Sequence, residues 1–254
     1  MNKSWIPNSL SLGNLALGVI SILWAMNAVY GQDYDNSRLF FISGLLILVA
    51  AIFDGFDGTV ARWLNVETQM GEQLDSLADL VTFGLAPAIL IYAMFLNSIK
   101  FDIGSFSLPL GAIITVIYPL SAAFRLARFN VEHDGDSFLG LPSPIAGTFI
   151  AIMAVINRIY MVNATVAIAI FLGLAFLMSS NIKYSKPHIS LRKYFNKYRF
   201  VALVLLLTFS AFWFKWYWTT LAVLAFYIFS GFIALGLHLL QKVKLVFGRL
   251  NGRE

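Results

Sequence analysis

Eight stretches without a formal charge recur along this chain, at residues 4–32, 39–53, 80–99, 103–124, 139–157, 159–182, 200–214 and 216–240. A helix needs about 20 mostly apolar residues to cross a bilayer core, and in lipid only helices or closed barrels satisfy their own backbone. The run at 39–53 can continue helically through the polar residues after it. The run at 200–214 can be completed by Tyr198 and Arg199, whose long polar tips reach the interface. The expected fold class is an all-α polytopic membrane bundle of eight helices, with tight hairpins joining the fifth to the sixth and the seventh to the eighth. Composition agrees. The 254 residues are 59% hydrophobic and 12% charged, against about 25% charged in soluble domains. That balance excludes a disordered chain and a nucleic-acid module. The absence of cysteine excludes disulfides, thiol catalysis and thiolate metal sites. The segment after the first run offers no convincing cleavage site, so that run reads as a mature helix.

Basic residues orient the bundle. With eight helices, one side receives 14 of the 18 Lys and Arg, including Arg62, Arg125, Arg128 and the clusters at 183–199 and 242–253. The positive-inside pattern makes that side cytoplasmic, with both termini on it. The two clusters, which hold most of the net charge of +5, read as orientation signals and as attraction to anionic lipid. His133, His188 and His238 are scattered and form no ligand set, and Trp5, Trp24, Trp213, Trp216 and Tyr217 suit an interfacial belt. Residues 1–181 read as one membrane domain. Residues 182–254 read as a basic loop, two further helices and a basic tail.

Against this scarcity of charge, four aspartates stand out. Asp54 and Asp57 follow fifteen uncharged residues, and Asp75 and Asp79 lead into twenty more. Ionisable groups at membrane helices are costly and point to function. Asp54, Asp57, Gly58, Ala61 and Arg62 share one helix face, and Asp75 and Asp79 share another. The hinge at 63–70 is long enough to turn the chain back, so the two faces meet. Four adjacent carboxylates repel unless cations neutralise them. Oxygen-only ligands select Mg²⁺, Mn²⁺ or Ca²⁺, and two such ions form a template for phosphoryl chemistry. Gly58, Ala61 and Gly71 leave room for a phosphate group, and Arg62 adds a cation.

As a pattern this is Asp-x2-Asp-Gly-x2-Ala-Arg-x8-Gly-x3-Asp-x3-Asp, from Asp54 to Asp79. It resembles the signature of the CDP-alcohol phosphotransferases, with every specified position filled. Ser-Leu-Ala-Asp-Leu-Val-Thr-Phe-Gly-Leu-Ala-Pro-Ala at 76–88, Arg-Leu-Ala-Arg-Phe-Asn at 125–130 and Gly-Leu-Pro-Ser-Pro at 140–144 resemble the bacterial and archaeal phosphatidylserine synthases of that family. So, more loosely, does Ile-Pro-Asn-Ser-Leu-Ser-Leu-Gly-Asn at 6–14, which has Ser11 where many relatives show threonine. The resemblance covers residues 6–181.

It implies a six-helix core, to which this chain adds about two C-terminal helices, and transfer of a phosphatidyl group from CDP-diacylglycerol to an alcohol with release of CMP. It further implies that Asp54, Asp57 and Asp75 bind metal and that Asp79 is both ligand and catalytic base. Gly58, Ala61, Arg62, Gly71 and Asn14 would contact the CDP-lipid, and the enzyme would be a homodimer. The cofactor would be two ions of Mg²⁺ or Mn²⁺, with Ca²⁺ also open. The acceptor suggested is L-serine. Arg125 and Arg128, three residues apart, would recognise its carboxylate or a phosphate, or else serve as cytoplasmic anchors; Asn130 is a further candidate. Glycerol 3-phosphate, inositol phosphate or another alcohol is the alternative acceptor. A cation-coupled transporter ranks below, because transporter sites lie near the midplane.

Overall fold

The computed structural model describes residues 4–31, 35–103, 106–131, 137–185 and 215–250. Two compact units make up the chain: Met1–Val131 with Pro142–Ser179, and Glu132–Leu141 with Ser180–Glu254.

Among its described residues the first unit contains six helices: α1 (Trp5–Tyr30), α2 (Asn36–Leu64), α3 (Gln69–Leu96), α4 (Leu110–Val131), α5 (Ser143–Tyr160) and α6 (Ala164–Ser179). The first five are long and apolar enough to cross a membrane, and α6 is a shorter apolar helix. The second unit contains α7 (Trp216–Leu250), whose stretch Trp216–Ile233 also meets that standard. The polytopic all-α expectation is met. The apolar run at 200–214, Trp213, His133, His188 and most of the 183–199 cluster lie outside the described residues.

Three of the helix starts that depart from the apolar runs have a local cause. Helix α3 starts eleven residues before its run, at Gln69, because Thr68 caps it: Thr68 Oγ1 accepts from Gly71 N–H at 3.1 Å, and Glu72 sits in the positive first turn. Asp75 and Asp79 are therefore held within a formed helix. Helix α4 starts at Leu110 because β1 (Phe101–Ile103) and β2 (Phe106–Leu108) pair as an antiparallel ribbon just before it. Helix α5 starts at Ser143, after Pro142 and with Pro144 in its first turn, where a missing N–H costs nothing. The preceding stretch forms β3 (Ser137–Leu139), paired with β4 (Lys183–Ser185) in the second unit.

The α5–α6 hairpin is tight, as expected. Met161 adopts the left-handed conformation, Asn157 Oδ1 accepts from Val162 N–H at 2.8 Å, and Asn163 Oδ1 accepts from Thr165 N–H at 2.9 Å. At the start of α2, Asp35 accepts from Arg38 N–H at 3.0 Å and meets Arg158 at 3.4 Å. The Ser37 hydroxyl, then the Arg38 N–H, hold its carboxyl below the usual range.

Helix α3 is the centre of the first unit. A buried cluster joins its Phe83, Ala86, Leu90 and Ala93 to Ala25 of α1, Ile47 of α2 and Ala151 and Ala154 of α5. Just after Asp79 the helix widens into a π turn, Leu80–Leu85, in which Ala86 N–H bonds to Val81 C=O. Pro87 has no N–H to offer the carbonyl four residues back, which relaxes the α ladder there. Three successive residues of this turn meet three helices through glycine or alanine. A Cβ on Gly18 of α1 would come within 2.9 Å of the Thr82 backbone, and one on Gly147 of α5 within 2.9 Å of the Phe83 backbone. One on Gly84 would sit 3.2 Å from Ala122 of α4. Small residues permit such close approach in lipid, where packing rather than water drives association. Helices α1 and α2 are also joined by Ser21 and Ser43, whose hydroxyls lie 2.8 Å apart and each reach the other's carbonyl.

Candidate active site

The hairpin between α2 and α3 builds the site. Asn65 takes the left-handed conformation after α2; its N–H reaches Arg62 C=O at 3.2 Å, and Val66 N–H reaches Ala61 C=O at 3.0 Å. This is the Schellman arrangement, which ends a helix sharply. Thr68 then starts α3, so the two helices run antiparallel. Asp54 consequently lies beside Asp79, and Asp57 beside Asp75.

Carboxylate oxygens of Asp54, Asp57 and Asp75 all lie within 4.8 Å of one another. Two charges at that distance repel by about 3.5 kcal/mol at an effective dielectric of 20. Hard divalent cations bind oxygens at about 2.0–2.6 Å, so oxygens on opposite sides of one ion lie about 4–5 Å apart, and the spacing fits. Asp79 is buried, and its Oδ1, like that of Asp75, has no hydrogen-bond partner. Orphaned buried acceptors are expensive; a cation or a substrate proton is the group such oxygens would take. The donor set therefore suits a divalent ion held by Asp54, Asp57 and Asp75, with Asp79 beside them.

The other expected residues differ in burial and in partners. A Cβ on Gly58 would meet only the Arg62 guanidinium, at 3.6 Å, so the backbone there is open beneath an exposed cation. Gly71 lies against α1, where a Cβ would sit 3.1 Å from Asn8 Oδ1. Ala61 is half-buried on the same stretch of α2. Asn14 is fully buried; its carbonyl accepts from Thr82 Oγ1 at 3.0 Å, while its side-chain amide has no partner. Arg125 is buried, donates to Ser143 Oγ at 2.9 Å and lies close enough to act electrostatically on Asp54 and Asp79. Arg128, half-buried, packs over the Phe124 ring at 5.6 Å. The Asn130 amide is engaged by Ser76, donating Nδ2–H at 3.1 Å.

Sequence reasoning assigned no role to Ser11, Ser76 or Ser143. Ser11 donates to Asp57 Oδ2 at 2.8 Å. All three lie in the stretches that carried the family resemblance, which was the available signal.

The CDP-alcohol phosphatidyltransferase profile matches residues 4–178. The chain belongs to this family. As a CDP-alcohol phosphatidyltransferase family member with six helices, among the described residues, long and apolar enough to cross a membrane, it is an integral membrane transferase. It is similar to the CDP-diacylglycerol–serine O-phosphatidyltransferase of Bacillus subtilis, at 33% identity over 187 residues, covering 73% of this chain and 91% of the relative. The enzyme of the same name from Helicobacter pylori J99 is 32% identical over 185 residues, 70% of each chain. That of Methanocaldococcus jannaschii is 37% identical over 141 residues, 56% of this chain and 62% of the relative.

Proposed function

We propose that this family member transfers the phosphatidyl group of CDP-diacylglycerol to the hydroxyl of L-serine, giving phosphatidylserine and CMP. The observation that carries the chemistry is the meeting of Asp54, Asp57 and Asp75 within 4.8 Å, with the unpartnered Asp79 oxygen beside them. The serine acceptor is supported by the shared activity of the relatives.

Asp79 takes the proton of the serine hydroxyl, whose oxygen attacks the phosphorus that bears the diacylglycerol. The bond from that phosphorus to the CMP oxygen breaks, and CMP leaves with the electron pair. Asp54, Asp57, Asp75 and Asp79 would hold two ions of Mg²⁺ or Mn²⁺, which would neutralise the pyrophosphate charge. Gly58, Ala61, Gly71 and Asn14 line the nucleotide pocket, and Arg62 pairs with phosphate oxygens. Arg125, held by Ser143 and facing the acids, recognises the serine carboxylate or a phosphate; Arg128 and Asn130 flank it. Residues 1–181 act as the transferase core, with 182–254 an appendage. The working form is a homodimer in the cytoplasmic membrane, with both termini and the site facing the cytoplasm.

An acceptor panel tests this. Purified protein with CDP-diacylglycerol and Mn²⁺ is expected to release CMP with serine. If glycerol 3-phosphate or inositol phosphate alone drove release, the serine assignment would be wrong. Arg125→Ala removes a charge-assisted contact of about 1.5–3 kcal/mol, so kcat/KM for serine is expected to fall roughly 10- to 150-fold. Arg128→Ala is expected to cost much less. Equal losses in steady-state assays would count against the role of Arg125.

A further inference from the structure

Both carboxylate oxygens of Asp57 accept hydrogen bonds from the chain. Ser11 Oγ on α1 donates to Oδ2 at 2.8 Å, and Gly58 N–H donates to Oδ1 at 2.5 Å. Ser11 and Asp57 are both buried, each 4% exposed. Asp75 Oδ1 and Asp79 Oδ1, by contrast, are buried without a donor. The hydroxyl of Ser11 has one other acceptor in reach, Pro7 C=O of its own helix, at the longer distance of 3.4 Å. The stronger contact is therefore the one that crosses from α1 to α2.

We infer that Ser11 is a positioning residue for the metal centre: its hydroxyl holds the Asp57 carboxylate in one orientation, so that the remaining lone pairs face the cation. A donor from a second helix fixes the side chain before the ion arrives. Outer donors of this kind contribute about 10- to 100-fold to metal affinity. The inference rests on the proposed role of Asp57 as a ligand. It also gives the N-terminal stretch a task in the metal site, separate from contact with nucleotide.

Mn²⁺ binding to the full-length protein in detergent, without lipid substrate, tests it through the electron paramagnetic resonance signal of free Mn²⁺. Ser11→Ala is expected to weaken Mn²⁺ binding about 10- to 100-fold, and Ser11→Thr, which keeps the hydroxyl, to bind close to wild type. At saturating Mn²⁺ the kcat of Ser11→Ala is expected to return towards wild type. Should the smaller side chain loosen the helix contact, Thr and Val, matched in shape, decide the matter: Thr binds and Val does not. Wild-type affinity in Ser11→Ala, or equal affinity in the Thr and Val variants, would overturn the inference. Asp57→Asn separates the two levels. If it binds Mn²⁺ normally, the ligand role itself fails; if it loses Mn²⁺ while Ser11→Ala does not, only the role of Ser11 fails.

Discussion

Asp79→Asn is expected to lower kcat for serine-dependent CMP release by about 10²- to 10⁴-fold, the range for loss of a general base. The amide is nearly isosteric, so the helix contacts around position 79 persist. What disappears is the ability to take a proton. The serine hydroxyl is a weak acid, and Oδ1 of Asp79 is a buried, unpartnered acceptor beside the other acids. Mn²⁺ should still bind through Asp54, Asp57 and Asp75. Steady-state kinetics and a Mn²⁺ titration on the same preparation check both halves. Full activity in Asp79→Asn would remove the base assignment, whatever happened to metal binding.

The second large effect is expected far from any ligand. In Gly147→Ala the new Cβ would stand 2.9 Å from the backbone of Phe83. Neither α5 nor the π turn can yield cheaply, because Thr82 and Gly84 on either side are already packed against α1 and α4. Overpacking of this kind costs about 1–3 kcal/mol. Phe83 is four residues beyond Asp79, so relief of the clash also displaces the base. A displacement of about 1 Å can cost 10²-fold in rate. Gly147→Ala should therefore melt earlier in detergent and turn over more slowly, and Gly147→Leu should fail to accumulate as a monodisperse protein. Gly173→Ala supplies the control, since nothing lies within 4 Å of its Cβ position. Equal melting temperatures for the Gly147 and Gly173 variants would contradict the keystone role of this turn.

The contrast between these two positions marks what a sequence can disclose. Asp54, Asp57, Asp75 and Asp79 were legible because charge at a membrane helix is rare and their spacing falls on two helix faces. The hairpin between them was legible as a polar break. Helix starts were less so: hydropathy marks where lipid begins, whereas Thr68 and Pro144 mark where hydrogen bonding begins, so α3 and α5 start away from the edges of their apolar runs. The β1–β2 ribbon straddles Asp102 and the start of the run at 103–124, where no alternating pattern marks strands. The π turn at 80–85 left only one trace, Pro87. Pairings across 46, 54 and 18 residues, Ser11 with Asp57, Ser76 with Asn130 and Arg125 with Ser143, depend on tertiary packing and have no local signature.

The central claim is that the carboxylate cluster drives phosphatidyl transfer to serine with the help of a divalent cation. The most direct measurement is serine-dependent CMP release from CDP-diacylglycerol by protein stripped with a chelator and then titrated with Mn²⁺, compared with Asp75→Asn. The account predicts no release from the stripped protein, recovery with Mn²⁺ in the wild type together with phosphatidylserine as product, and little recovery in Asp75→Asn. Undiminished release after chelation, or full recovery in Asp75→Asn, would contradict it.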